Sequence, residues 1–299
     1  MWYNFNRGDN MINIFEKVCK TEETPYGIKK VDDDVDLFKK GPCIITMLPC
    51  PRNVKDINGS LRQVANLVNP DIDTNYDPDR RILGIGYGDL IKGPIEGFTR
   101  LRPTDEEIDD FIDTFLFSLY TKNGSKLDVL DAMKNFRNIT VVTYCDGSRR
   151  FEAIEAGLKR KLSFIGYTDA DIRLILSQIC LAAVSGDSIA QKGTSALTIA
   201  FGDVNDPDYV SSSKEVVEGI KELGSGYINY DPIIGFAVFG DGEHKFKKHM
   251  TEDPILSEKI RLFLNASLDN AIENKTNIIL NPITYEKIER ALNNNSKSM

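Results

Sequence analysis

Asn138-Ile139-Thr140-Val141-Val142-Thr143-Tyr144-Cys145-Asp146-Gly147 is the stretch on which the fold turns. Its β-branched and aromatic residues from Ile139 to Tyr144 suit a pleated, buried strand. The strand ends at a thiol, and Gly147 and a helical stretch from Arg149 onward follow. Two later runs repeat this grammar. Ala196-Leu197-Thr198-Ile199-Ala200-Phe201 closes into Gly202-Asp203-Val204-Asn205-Asp206-Pro207. Gly235-Phe236-Ala237-Val238-Phe239 closes into Gly240-Asp241-Gly242-Glu243-His244. A thiol, a carboxylate and an imidazole thus follow, in that chain order, the carboxyl ends of three strands. Such a layout is expected of a catalytic triad carried on a parallel sheet.

Strand and helix signals alternate around these three runs. Pro42-Cys43-Ile44-Ile45-Thr46-Met47-Leu48 reads as a buried strand, followed by a loop and a helix over 60–68 with Ser60 at its N-cap. Arg81-Ile82-Leu83-Gly84-Ile85-Gly86 reads as the next strand. Residues 104–136 are mostly helical in pattern, opened by the capping-box sequence Thr104-Asp105-Glu106-Glu107 and broken into two helices at Gly124 and Ser125. A helix over 149–161, another after Thr168-Asp169, and a strand over Ile179-Cys180-Leu181-Ala182-Ala183-Val184 come next. Helices are expected over 211–223, ended by Gly224, and near 253–272 and 284–292, with a strand over 234–239 before the last two. The alternation predicts an α/β fold: a mainly parallel sheet with helices on both faces. Residues 1–40 read as an N-terminal extension and 41–299 as one domain.

Composition bounds the function classes. The 299 residues carry a formal charge of −8, and Lys29-Lys30, Lys39-Lys40 and Lys159-Arg160-Lys161 are short and interspersed with acids. Nucleic-acid binding, which needs clustered excess Lys and Arg, is not expected. No run approaches the ~18 apolar residues of a membrane helix, and Met1-Trp2-Tyr3-Asn4 does not open a secretory signal. Five widely spaced cysteines (19, 43, 50, 145, 180) contain no C-x-x-C pair, which fits a reducing, cytoplasmic setting. With histidines only at 244 and 249, no metal site is expected.

Over about residues 41–250 the chain resembles the α/β-hydrolase fold, and within it the dienelactone-hydrolase-like branch whose nucleophile is cysteine. Thr143-Tyr144-Cys145-Asp146-Gly147 is similar to the G-x-[SC]-x-G nucleophile elbow, with Thr143 in place of the first glycine. Gly202-Asp203-Val204-Asn205-Asp206-Pro207-Asp208-Tyr209-Val210 resembles the acid loop, one residue longer, and Gly240-Asp241-Gly242-Glu243-His244-Lys245-Phe246 the histidine loop. The resemblance implies Cys145 as nucleophile, Asp206 as acid and His244 as base. It further implies no cofactor, a small-molecule acyl substrate (an ester, thioester or lactone), and hydrolysis or acyl transfer through an acyl-thiol intermediate. The backbone N–H of Asp146 would be one oxyanion donor. The usual His-Gly-Gly segment after the early strand is replaced by Leu48-Pro49-Cys50-Pro51-Arg52, where the prolines have no N–H and the second donor would be Cys50 or Arg52.

Competing readings stand beside these. Cys145 could be a buried strand-end thiol, Asp146 a helix cap, and Asp203 the acid instead of Asp206. His249, in Lys247-Lys248-His249-Met250, reads as a helix-surface residue. Gly84-Ile85-Gly86-Tyr87-Gly88 lacks the third spacing of a dinucleotide loop. The rival function is a non-catalytic member of the fold, with a protein partner or a homo-oligomer as its setting.

Overall fold

The apolar runs become strands and the amphipathic runs become the helices that cover them. The computed structural model describes residues 12–31, 36–47, 54–87, 104–185, 195–207, 226–230, 233–238 and 240–276. In chain order these contain β1 (Ile12–Lys17), β2 (Ile28–Val31), β3 (Cys43–Met47), α1 (Val54–Val68) and β4 (Arg81–Tyr87). Then come α2 (Asp105–Phe111), a π-helical turn Ile112–Leu116, α3 (Phe117–Tyr120), β5 (Thr121–Lys122), β6 (Ser125–Lys126) and α4 (Val129–Phe136). The second half holds β7 (Ile139–Tyr144), α5 (Gly147–Ile165), α6 (Asp169–Leu176), β8 (Cys180–Val184) and β9 (Leu197–Asp203). It closes with β10 (Gly226–Tyr230), β11 (Ile233–Val238), a π-helical turn Lys248–Glu252 and α7 (Pro254–Thr276).

Nine of these strands form one sheet in the order β10-β11-β9-β8-β7-β3-β4-β1-β2. From β4 to β11 the neighbours are parallel, and β1, β2 and β10 run antiparallel at the two edges. In register, Val141 pairs with Ile45 on one side and Leu181 on the other. Every residue of β7 is buried, as a central strand covered on both faces must be. The period of two sorts the side chains. Ile45, Leu83, Val141 and Leu181 pack with the helices α2 to α6 on one face, while Ile44, Ile82, Val142 and Ala182 pack with α1 and α7 on the other. This mostly parallel sheet between two helical layers is an α/β-hydrolase-like topology.

Several local expectations change in the folded chain. Helix α1 begins at Val54, so Ser60 lies inside it, where its hydroxyl donates to the Ile57 carbonyl at 2.7 Å. Gly124 and Ser125 do not merely separate two helices. They belong to a small β5–β6 hairpin whose turn residues Asn123 and Gly124 have φ of 54° and 76°, as a two-residue turn matched to strand twist requires. Thr104 forms the expected capping box with Glu107. Within the stretch read as an extension, β1 and β2 pair with each other and β1 pairs with β4, so residues 12–31 supply two strands of the same sheet. Gly84 and Gly86 lie within β4, paired with β1 and β3 or with β1 alone, and a side chain at 84 would press on Ile57 and Leu61 of α1. The helices expected over 211–223 and 284–292 lie outside the described residues. No helix among those described is long and apolar enough to cross a membrane.

Candidate active site

Because β7, β9 and β11 are parallel, the residues that follow them emerge at one edge of the sheet, where open α/β sheets bind ligands. Cys145 is the first residue beyond β7. Its φ is 52°, a left-handed conformation that a side chain bearing a Cβ adopts at some cost. The turn is held by the Cys145 N–H donating to the Val184 carbonyl at 3.4 Å and by the Ser148 N–H donating to the Cys145 carbonyl at 3.4 Å. Gly147 makes this turn feasible. A Cβ at 147 would run into the carbonyl oxygen of Met47, at the end of β3. Thr143 is fully buried, and its hydroxyl is bonded to the buried Ser148 hydroxyl at 2.8 Å, which ties the strand to the first turn of α5. The thiol therefore stands on a sharp strand-to-helix elbow, near the positive end of the helix dipole of α5.

The other two groups meet across the edge. His244 Nδ1–H donates to Asp206 Oδ2 at 2.7 Å, since the carboxylate can only accept. Asp206 is completely buried and the His244 side chain is 24% exposed, so the bond has one dry end and one open end. The Tyr144 ring lies against the imidazole, 4.8 Å between centroids and 23° between planes, as a flat floor. The His244 pKa is raised from 6.5 to about 10. The hydrogen bond to Asp206 is the largest cause, the nearby Cys145 thiol the next, and burial opposes both. The thiol and the imidazole are therefore electrostatic neighbours.

Asp203, the last residue of β9, is buried and does different work. Its carboxylate accepts the backbone N–H groups of Asn205, Gly240 and Gly242, each at 2.9 Å. It clamps the acid loop to the histidine loop. Of the two candidate acids, the one bonded to His244 is Asp206. Asp146 does not cap α5: it has helical dihedrals and no side-chain cap bond, and its carboxylate lies 3.6 Å from Arg149. A cap residue needs an extended backbone to turn its oxygen back onto the helix, and the elbow denies Asp146 that conformation. Cys50 and Arg52 lie outside the described residues.

His249 is the residue that sequence reasoning placed wrongly. It is 2% exposed, not on a helix surface. The π-helical turn Lys248–Glu252 widens the backbone so that His249 and the adjacent Met250 are both buried, as such turns often do beside functional groups. His249 Nε2 lies 3.0 Å from Ser185 Oγ and 3.5 Å from Asp206 Oδ2. Only the neighbouring apolar Met250 hints at this in the sequence.

Asp206, His244 and His249 offer ligand atoms that lie within 4.8 Å of one another. Two ligands on one zinc ion stand roughly 3.3 Å apart, given bonds of about 2.0–2.1 Å. The Asp206–His244 contact of 2.7 Å is a hydrogen-bond separation instead. The arrangement is a carboxylate flanked by two imidazoles, and a metal ion would have to spread it. No protein-family model matches the chain, and no curated protein matches its sequence. The fold is consistent with a hydrolase or acyltransferase scaffold in general.

Proposed function

We propose that the chain is a hydrolase, or an acyltransferase, acting on a small ester, thioester or lactone with Cys145 as nucleophile. The observation that carries this reading is the buried carboxylate–imidazole bond between Asp206 and His244, beside a thiol held at φ 52° on a strand–helix elbow. Backbone strain at one exposed nucleophile is the mark of such elbows. In the proposed reaction the thiol proton passes to His244 Nε2, and Cys145 Sγ attacks the acyl carbonyl. The tetrahedral oxyanion takes a hydrogen bond from the Asp146 N–H. Collapse expels the alcohol or thiol, which takes its proton from His244 and leaves an S-acyl enzyme. Water, deprotonated by His244, then releases the acid, or another acceptor takes the acyl group. Asp206 holds the Nδ1–H tautomer throughout and stabilises the imidazolium. The resemblance of the elbow, acid loop and histidine loop to the cysteine-nucleophile dienelactone hydrolases points the same way.

Hydrolysis of a short activated aryl ester tests the reading. Cys145→Ala should abolish it with the fold intact, by on the order of 10²-fold or more. His244→Ala should cost nearly as much and Asp206→Asn somewhat less, because the three would act as a unit. Equal rates in wild type and Cys145→Ala would remove Cys145 from the chemistry. Failure on every acyl substrate would leave a non-catalytic binding role for the fold.

A further inference from the structure

We infer that His249, anchored by Ser185, is a positioning residue that holds Asp206 in place through a second contact to the same oxygen that His244 uses. The inference rests on the proposed Cys145–His244–Asp206 chemistry and adds a second histidine to it. Asp206 is wholly buried, and its Oδ2 serves two imidazoles, at 2.7 Å from His244 Nδ1 and 3.5 Å from His249 Nε2. Rotation of the Asp206 carboxylate about its χ2 would carry the His244 ring with it. A second imidazole at the same oxygen restricts that rotation.

The tautomer of His249 follows from the charge it faces. Were Nε2 unprotonated, its lone pair would point at a buried anion. Protonated, Nε2–H is shared between Ser185 Oγ at 3.0 Å and Asp206 Oδ2 at 3.5 Å, and both contacts become favourable. Ser185 is itself rigid. Just beyond the end of β8, it is 2% exposed, has φ of 43°, and its N–H donates to the carbonyl of Phe201 in β9 at 2.7 Å. Like Cys145, it is a non-glycine residue held in the left-handed region at the carboxyl edge of the sheet. Backbone strain at a buried serine one step from the acid has a role if that hydroxyl must meet His249. The Tyr144 ring lies near both imidazoles, with centroids 4.8 Å from His244 and 6.3 Å from His249.

His249→Gln and His249→Leu separate a donor from a space-filler, because a glutamine amide nitrogen can reach the place of Nε2 and a leucine cannot donate. With folding checked by circular dichroism, His249→Leu should lower kcat for the aryl ester about tenfold or more while KM changes little, and His249→Gln should restore the rate to within about threefold of wild type. The rate of Cys145 alkylation by iodoacetamide should fall and recover in the same order. If His249→Leu does not fold, Ser185→Ala reads the same contact and should lower kcat and alkylation about threefold. Wild-type rates in His249→Leu, or in Ser185→Ala where that stands in, would overturn the inference, as would a folded His249→Gln no better than His249→Leu. Alkylation needs no substrate. An inactive wild type whose alkylation still depends on residue 249 would therefore sink the proposed reaction and keep the positioning role.

Discussion

Cys145 differs from the buried thiols in surroundings, and the difference is chemical. Burial pushes the thiol of Cys43 up to about 12 and that of Cys180 up to about 11, so neither forms much thiolate near neutral pH. Cys145 is partly exposed on its elbow beside His244. Limiting iodoacetamide followed by peptide mapping should label Cys145 well ahead of Cys43 and Cys180, and preferential labelling of either buried thiol would contradict the elbow's role. His244 also makes a stability prediction with a definite sign. Its folded pKa of about 10 exceeds the ordinary 6.5, so the folded state binds the proton more tightly than the unfolded chain. The stabilisation is complete below about pH 6.5 and disappears as pH rises through about 10. The urea midpoint of wild type should therefore exceed that of His244→Ala at pH 6, with the gap closing by pH 10.5.

At the scale of elements, two loops are locked to one another by short polar contacts. Asp203 collects three backbone N–H groups, and Asn205 Nδ2 donates to the Gly240 carbonyl at 2.6 Å. A Cβ at Gly240 would collide with the Asp203 carboxylate, so the histidine loop passes too close for any larger residue. Outside this clamp, Lys248 is paired with Asp241 and lies 3.6 Å from Glu243, which ties the loop to the π-helical turn carrying His249. Asp203→Ala should cost about 2 kcal/mol, because it removes the shared acceptor of three part-buried backbone N–H groups at once. It should also speed amide exchange at Gly240 and Gly242, measurable by deuterium exchange. Unchanged exchange there would mean that the clamp does not hold the loop. On the other side of the site, the elbow depends on close packing of α5 against β3. Gly147→Ala should destabilise by roughly 2–4 kcal/mol in urea unfolding, since the added methyl meets main chain rather than a movable side chain.

For the whole molecule, the N-terminal hairpin closes the sheet beyond β4. Glu16 on β1 bonds Arg81 Nε at 2.9 Å, accepts from the Tyr76 hydroxyl at 2.8 Å, and lies 3.2 Å from Lys29 on β2. The Glu16 carboxyl is held below its usual range by Arg81, Tyr76 and Lys29 although burial acts against it. Arg81 is nearly inaccessible and also donates to the Leu37 carbonyl at 2.7 Å. Losing its carboxylate would leave a buried cation at a cost of about 3–5 kcal/mol, and losing β1 would bare a hydrophobic strand edge. A chain beginning at residue 32 should accordingly be insoluble or lack cooperative thermal unfolding. A soluble, cooperatively folding product would show that the hairpin is an accessory.

The amino-acid sequence by itself determined the alternation of elements, and with it the layered sheet. The run Ile139–Tyr144 was legible as a strand because β-branched residues bounded by polar ones leave few alternatives, and Thr104 announced its helix through a capping box that depends on four neighbouring residues. Cys145, Asp206 and His244 could be named as candidates from the sequence because each lies in the turn or loop after its strand, and parallel strands must bring their carboxyl ends to one edge. Tertiary structure alone decided the partners. Asp203 and Asp206 are three positions apart, and only the path of the histidine loop gives the backbone amides to the first and the imidazole to the second. His249 was hidden because a π-helical turn shifts the phase that periodicity relies on, and Ser185 because its contact with His249 joins residues far apart in the chain. Such contacts depend on where two turns cross in space, which local spacing does not encode.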